Sequence, residues 1–303
     1  MALLLSILAE DIFPIFAVAA VGFLLARLVR ADVKTLSRVT FNALSPCLVF
    51  HLLVTSRLAM GDFGRMALFA ALMVLGIGVI ARVVAAPFRL DRATLAAFLV
   101  VVMFSNNGNY GLPAVLFAFG RESLTYASVY FATNSVLMFT VGVFLASSGT
   151  KGARRALAGI VRVPAVYGVA AAVVVMTAGL QVPTMVMRPV ELLSNAAVPV
   201  MILVLGMQLE RAARPERPLL VALAAFLTLV VSPLMAVGLS QALQLPVAAR
   251  QAALLEAAMP SAVVNTILAL EFDIKPTFVT SVVFVSTMLS PFTVTIVIAL
   301  LQR

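Results

Sequence analysis

The stretch FSNNGNYGLP, Phe104 to Pro113, interrupts a run of apolar residues that is otherwise long enough to cross a membrane. Three asparagines, two glycines and a proline stand where a spanning helix presents hydrocarbon side chains to lipid. Glycine and proline weaken a continuous helix, and backbone groups released by a break persist at membrane depth only inside protein or beside water. The stretch therefore predicts a broken helix within a membrane protein.

Composition indicates the same class of protein. Of the 303 residues, 63% are hydrophobic and 11% are charged, whereas soluble domains are about 45–50% apolar. The apolar runs are mostly ~20 residues long, which indicates spanning helices rather than the short alternating strands of a membrane barrel. The predicted fold class is an all-α integral membrane protein with ten transmembrane helices, at 10–29, 35–55, 64–86, 92–119, 122–147, 164–181, 188–209, 218–243, 249–272 and 276–301.

The basic residues are distributed unevenly between the loops. Of the 21 Lys and Arg residues, fifteen fall in one set of alternate loops, and six fall in the other set together with the C-terminus. Because basic loops tend to stay cytoplasmic, this bias predicts a multi-pass protein of the cytoplasmic (inner) membrane with both termini outside. Topology also explains the net charge of +9, so no nucleic-acid partner is expected.

The sequence lacks the residue patterns that are typical of metal sites, cofactor sites and membrane enzymes. The single cysteine, Cys47, has no partner in the chain, and no metal-ligand spacing occurs, so we expect neither a metal nor a cofactor. A membrane enzyme needs a serine–histidine pair, paired aspartates within spans, or an HExxH zinc motif. The sequence has one histidine and none of these motifs. We therefore expect no enzymatic activity.

One offset relates the two halves of the chain. Shifting the sequence by 153 residues places NALSP, at 42–46, over NAAVP, at 195–199. The same shift places SVYFATNSVLMFTV, at 128–141, over SVVFVSTMLSPFTV, at 281–294, with six identical residues in register. One offset that relates several spans predicts an internal duplication.

The duplication sets the domain organisation. It predicts one unit at 1–150 and another at 151–303, divided near the Gly-, Arg- and Ala-rich connection 147–163. Each unit holds five helices, so the second unit enters the membrane from the opposite side. Such inverted repeats are the plan of many secondary transporters, whose site lies near the midplane where the halves meet.

The second half has a matching interruption, EAAMPSAVVNTILALEF, from Glu256 to Phe272. Two breaks in corresponding positions point to a transport site. In the first, Pro113 suits the first turn of a half-helix running to Phe119, whose unpaired N–H groups favour an anion. The candidate substrate-binding residues are Asn106, Asn107, Gly108, Asn109, Gly111, Pro113, Pro260, Ser261, Asn265 and Thr266.

Two titratable residues are candidates for ion coupling. Glu256 lies inside a predicted span, where a lone carboxylate costs ~2.5–3.5 kcal/mol on insertion scales, so it should face protein or water. It could carry a proton, help to hold a cation, or anchor the structure by hydrogen bonding. His51, near the end of the second span, could titrate near neutral pH or simply pack in the interior.

Three stretches resemble the auxin efflux carrier family, which includes plant auxin exporters and bacterial malonate or malate permeases. They are SNNGNYGLPAVLFAFG at 105–120, AAMPSAVVNTILALEFD at 257–273, and NALSPCLVFHLL at 42–53. The resemblance implies two inverted five-helix repeats in which broken helices four and nine cross. It also implies a scaffold of spans 1, 2, 6 and 7, a moving transport unit of spans 3–5 and 8–10, and a homodimer.

These observations give one functional hypothesis and two alternatives. The hypothesis is a secondary active carrier that moves a small organic anion, such as an auxin-like compound or a dicarboxylate, by elevator-type alternating access. The substrate partner is a small organic carboxylate, and the coupling ion is H⁺, Na⁺ or neither. The alternatives are a sodium-coupled symporter of the bile-acid type, which shares the inverted five-helix plan, and an anion channel.

Overall fold

The computed structural model describes residues 2–56, 59–147, 163–210 and 217–302. Most of the predicted central connection 147–163, namely residues 148–162, lies outside the described residues, together with several of the basic residues used to predict orientation. Every regular element in the described ranges is helical, and the extended backbone is limited to one isolated pairing between Ser105 and Ser261. The prediction of an all-α fold is therefore confirmed for these residues.

The helical segments of the described chain are numbered here in order. In the first half they are α1 (Leu4–Val29), α2 (Val33–Thr55), α3 (Met60–Phe88), α4 (Arg92–Met103) and α5 (Asn107–Ala146). In the second half they are α6 (Pro164–Thr177), α7 (Thr184–Leu209), α8 (Pro218–Ala242), α9 (Val247–Ala257), α10 (Val264–Phe272) and α11 (Pro276–Leu301).

Seven of the described helices are long and apolar enough to cross a membrane, namely α1, α2, α3, α5, α7, α8 and α11. Helices α4 and α6 are apolar but shorter. The predicted fourth span is divided into α4 and the beginning of α5, and the predicted ninth span is divided into α9 and α10. Both predicted interruptions are thus present, at 104–106 and 258–263.

Helix α5 is too long to be one straight span. Its 40 residues would extend for about 60 Å, whereas the hydrocarbon core is ~30 Å thick. The segment bends at Gly120, whose φ of +78° is outside the helical region and is accessible to glycine at little cost. The α-helical part after the first break therefore runs from Leu112 to Phe119, with Pro113 in its first turn as predicted, and a π-helical turn at Asn107–Gly111 extends it backwards.

Prolines explain several irregular turns. Proline lacks an N–H group and clashes with the carbonyl four residues earlier, which a wider π-helical turn can relieve. Four π-helical turns each end two residues before a proline. The turns are Leu8–Ile12, Thr40–Leu44, Asn107–Gly111 and Leu227–Val231, and the prolines are Pro14, Pro46, Pro113 and Pro233.

Aspartates cap two of the helices that begin at loops. The Asp32 carboxylate accepts hydrogen bonds from the backbone N–H groups of Lys34 and Thr35 at the start of α2. Asp91 accepts from the N–H of Thr94 at 3.0 Å and from its hydroxyl at 2.7 Å at the start of α4. These hydrogen bonds hold the pKa of Asp91 below its ordinary value, because they favour the ionised carboxylate.

Close helix contacts depend on glycine. Helix α1 packs on α7, and α2 packs on α6 and α7. A Cβ at Gly22 of α1 would collide with the backbone of Leu203, and one at Gly206 of α7 would collide with the backbone of Ala19. The α1–α7 interface is therefore a reciprocal backbone contact, a packing mode that small residues permit in membranes.

The remaining helices pack mainly among themselves. Helix α5 contacts α3 and α9, α4 contacts α3 and α11, and α8 contacts α9 and α11. The broken segments lie within this group, and their surroundings are buried apolar residues from both halves of the sequence. Polar atoms exposed by the breaks are therefore enclosed by protein.

Replacing Gly206 with alanine should destabilise the protein, because the added methyl group forces α1 and α7 apart. Overpacking of this kind typically costs about 1–3 kcal/mol. Thermal unfolding of the purified protein in detergent measures the effect. Gly238→Ala on α8 is the matched control, since its new Cβ meets no atom within 4 Å. Equal melting temperatures for the two variants would contradict the close contact.

Candidate functional site

The two breaks in the helices pair with each other. The backbone N–H of Asn106 donates to the carbonyl oxygen of Pro260 at 2.7 Å, and the N–H of Ala262 donates to the carbonyl oxygen of Phe104 at 3.0 Å. Ser105 and Ser261 lie opposite each other in this short antiparallel pairing. Backbone groups that no helix satisfies are thus satisfied across the two halves of the chain, as a low-dielectric environment requires.

Side chains reinforce this pairing on the side of the second break. The Nδ2 group of Asn265 donates to the Phe104 carbonyl oxygen at 2.8 Å and to the Ser261 hydroxyl at 3.0 Å. The N–H of Ser261 donates to the Ser286 hydroxyl of α11 at 3.2 Å. Asn265 and Ser261 are fully buried. Asn265 therefore links its own half-helix to the break in the other half.

A second set of contacts joins Asn107 to Glu256. The Asn107 Nδ2 group donates to Glu256 Oε2 at 2.7 Å and to the Glu256 backbone oxygen at 2.9 Å. Glu256 is 0% exposed and Asn107 is 1% exposed. The carboxylate also packs directly on Gly111, where a Cβ would collide with it. Glycine is needed at this position because the carboxylate occupies the space of a side chain.

Four buried polar atoms at the breaks have no hydrogen-bond partner. They are Asn106 Nδ2, Asn107 Oδ1, Glu256 Oε1 and Asn265 Oδ1. Buried polar groups are nearly always hydrogen-bonded, and each exception calls for an explanation. One of these atoms is a donor and the other three are acceptors. The donor could bind an acceptor group of a ligand, and the three oxygens could bind a proton or a cation.

Residues outside the predicted set also surround the breaks. Asn109 Nδ2 lies 3.5 Å from Oε1 of Gln208 on α7, and the Tyr110 hydroxyl lies 3.5 Å from the Ser290 hydroxyl on α11. The Tyr110 ring packs edge-on against Phe16 at a centroid distance of 5.7 Å. Tyr110 stands within the first motif. Gln208 is separated from its partner Asn109 by 99 positions, and no local pattern indicates this contact.

The predicted site residues do not all come together. Gly108 packs against Phe131, where a Cβ would lie 2.8 Å from the ring, and Thr266 is half-buried on α10. His51 is buried on α2 with its Nδ1 3.1 Å from the Ser194 hydroxyl on α7. None of the hydrogen bonds among the described residues connects His51 with either break. Glu256, by contrast, lies directly against the first break.

The polar side chains of Asn106, Asn107, Ser261 and Asn265 are buried, whereas Ser105, Gly108 and Asn109 are half-buried. Two cavities in the described part of the chain have volumes of about 500 Å³ and 130 Å³. The larger is mostly apolar and lies between α8, α9 and α11, and the smaller lies between α3, α5 and α6. Neither is lined by a residue of 104–109 or 258–266. Neither of these two cavities therefore leads to the paired breaks.

Comparison with known proteins identifies the class. A family model described as "Membrane transport protein" matches residues 7–159 and 153–298, which together span nearly the whole chain. The chain is thus a multi-pass membrane protein of the transporter class. It belongs to the auxin efflux carrier type of membrane transport family.

Two relatives agree with this assignment. An uncharacterized transporter of Methanothermobacter thermautotrophicus is 31% identical over 289 residues, which is 93% of this chain and 94% of the relative. Another uncharacterized transporter, from Methanocaldococcus jannaschii, is 24% identical over 207 residues, or 67% of each chain. Both names identify transporters, and neither gives a substrate.

Replacing Asn265 with alanine should lower the thermal stability of the protein. The change removes the side chain that links α10 to the first break and leaves a buried carbonyl with fewer donors, which costs about 1–3 kcal/mol. Asn195→Ala, an exposed asparagine on α7, is the matched control. Thermal unfolding in detergent compares the two, and an equal effect would show that Asn265 does not hold the breaks together.

Proposed function

We propose that the protein is a secondary active carrier that moves a small organic carboxylate across the cytoplasmic membrane by alternating access. The observation that carries this proposal is the pairing of two broken helices, with buried polar atoms on both that have no hydrogen-bond partner. Discontinuous helices at the meeting of two halves are the usual location of transporter sites. Membership of a transporter family supports the same conclusion.

An inverted duplication with ten spans, at 1–150 and 151–303, is part of this proposal. The observed helix boundaries recur at the 153-residue offset. Shifted back by that offset, α9 falls on 94–104, beside α4, and α7 falls on 31–56, beside α2. Shifted in the same way, the second break covers 105–110, so the two breaks begin within one residue of each other, although the second is longer. This agreement in structure supports the duplication independently of the sequence identities.

The packing also supports a division into a scaffold and a transport unit that moves against it. Helices α1, α2, α6 and α7 pack together and form the proposed scaffold, while α3–α5 and α8–α11 form the proposed transport unit. The breaks belong to the transport unit. Asn109 reaches Gln208 of the scaffold across this division at 3.5 Å. A long, weak contact of this kind can be broken and remade as an elevator-type unit slides.

The substrate carboxylate is proposed to bind where the half-helices begin. The N-terminal turns of α5 and α10 carry partial positive charge, next to Gly108, Gly111, Pro113, Pro260 and Thr266. The amide donors of Asn107 and Asn265 are already used. Among the described residues at the breaks, Asn106 Nδ2 is a buried donor without a partner. We therefore place recognition of the anion on the Asn106 side chain. Asn109 is close to it in sequence, and Ser261 lies across the pairing of the breaks.

Glu256 is the proposed coupling residue, since it lies against the first break. His51 contacts Ser194 between two scaffold helices, which favours a packing role over a coupling role. The orientation with both termini outside and the homodimer remain predictions of the sequence analysis.

Replacing Asn106 with alanine should raise the KM for the carboxylate substrate. Loss of one hydrogen bond to a charged group costs about 1.5–3 kcal/mol, which corresponds to roughly a ten- to hundredfold weaker affinity. The measurement is tracer uptake into proteoliposomes offered malonate, malate and indole-3-acetate in turn. Asn42→Ala is the matched control, because the exposed Asn42 side chain donates to the Arg38 backbone oxygen of its own helix and lies on α2, away from both breaks.

The same assay separates the alternatives. Saturable uptake with exchange of labelled for unlabelled substrate identifies a carrier, whereas flux that rises without saturation identifies a channel. Dependence on a sodium gradient identifies the bile-acid type of symport. Uptake of none of the three anions would remove the carboxylate substrate from the proposal, and unchanged KM in Asn106→Ala would remove Asn106 from the site.

A further inference from the structure

We propose that Glu256 carries the coupling proton, shared between its Oε1 atom and Oδ1 of Asn107, and that this proton crosses the membrane with the transport unit. The inference rests on the proposed carrier function and adds the identity of its coupling ion. Three observations support it: the contacts of the Glu256 carboxyl group, the unpartnered oxygens of Glu256 and Asn107, and the lack of an ion-paired cation among the described residues.

The charge of Glu256 has no partner. No Lys, Arg or His side chain of the described residues lies within ion-pairing distance of its carboxyl group, which is 0% exposed. An isolated ionised carboxylate in a low-dielectric interior is costly enough that the group takes up a proton instead. One amide donor on Oε2 does not offset that cost. The neutral carboxylic acid is therefore the form that this environment stabilises.

The hydrogen-bond arrangement has room for that proton. Asn107 Nδ2 donates to Oε2, while Oδ1 of the same amide and Oε1 of the same carboxyl group have no partner. A protonated carboxyl group has one O–H donor. With the proton on Oε1, the O–H can donate to Asn107 Oδ1. One proton then satisfies both orphaned atoms and closes a ring of two hydrogen bonds between the acid and the amide.

A metal ion fits this position less well. Hard cations need about six oxygen ligands, and the hydrogen-bonded pair of Asn107 and Glu256 has only two oxygens without a partner. The third orphaned acceptor, on Asn265, belongs to the other group of contacts. The backbone of Gly111 packs directly against the carboxyl group, and neither described cavity borders it. A proton requires no such space.

No other titratable group competes for this role. The elements packed against α9 are α3, α5, α8 and α11. Their titratable residues and that of α9 itself are Asp62, Arg65, Arg82, Tyr110, Arg121, Glu122, Tyr126, Tyr130 and Arg250. Of these, Tyr130 is close enough to respond to the charge of Glu256. Tyrosine stays protonated at neutral pH, so Glu256 rather than Tyr130 is the group that takes up and releases the coupling proton.

Coupling follows from the position of the pair. Asn107 is the first residue of α5 and directly follows Asn106, the residue proposed to recognise the substrate. When the transport unit opens to one side, water reaches the pair and Glu256 Oε1 releases its proton to that water. The closed form stabilises the acid, so the unit crosses with the proton bound and substrate flux depends on the proton gradient.

The test combines transport with infrared spectroscopy, using Glu256→Gln and the matched control Glu122→Gln, whose carboxylate is exposed on α5. Proteoliposomes loaded with a pH-sensitive dye and sodium-free buffer receive malonate, malate or indole-3-acetate. Wild type and Glu122→Gln should move one proton with each substrate molecule, and Glu256→Gln should move none. The purified wild type should show a carboxylic acid carbonyl band at neutral pH that Glu256→Gln lacks.

The infrared band keeps the proposal testable if Glu256→Gln has no transport activity, provided that the variant melts as a folded protein. A missing acid band in the wild type, or proton movement that survives in Glu256→Gln, overturns the proposal. Substrate flux that follows sodium rather than protons overturns it as well. Exchange of labelled substrate in the wild type reports on the carrier function separately, so a failed proton proposal is distinguished from a failed transport proposal.

Discussion

Two backbone hydrogen bonds organise this protein. In a membrane interior, a peptide group that leaves a helix must find another partner, because lipid supplies none. Here the backbone groups of each break are hydrogen-bonded to the other break. The N–H of Asn106 donates to the Pro260 carbonyl, and the N–H of Ala262 donates to the Phe104 carbonyl. Both halves of the sequence must then approach within hydrogen-bonding distance, which fixes the positions of the four helical segments that flank the breaks. The serine and asparagine side chains around them extend the same network.

Much of this arrangement could be predicted from the sequence. Clustered Asn, Gly and Pro in an apolar run indicate a break because their effects on a helix are local. The 153-residue offset indicates that the breaks correspond. Both interruptions are present, and Pro113 occupies the first turn of its α-helical segment as predicted. The residues that line the breaks are therefore largely those that the motifs indicated.

The contacts between those residues could not be predicted, because they depend on tertiary packing. Asn107 and Glu256 are separated by 149 positions. No local pattern shows that the Asn107 amide group donates its hydrogen bonds to Glu256. The pairing matters for function, since among the described residues at the breaks Asn106 keeps a buried donor without a partner. The contact between Asn109 and Gln208 could not be predicted for the same reason. The π-helical turn before Leu112 depends on how the chain accommodates Pro113, which helix propensity does not describe.

The pairing of the breaks also has a consequence for biosynthesis. The carbonyl oxygen of Phe104 accepts from the N–H of Ala262, a residue that the ribosome adds much later. At roughly 5–20 residues per second, the interval is on the order of 10 to 30 seconds. During that time the first break lacks its native partner. The nascent first half must therefore shield these polar groups in another way, with water, with the insertion machinery, or by delaying full entry into lipid until the second half is complete.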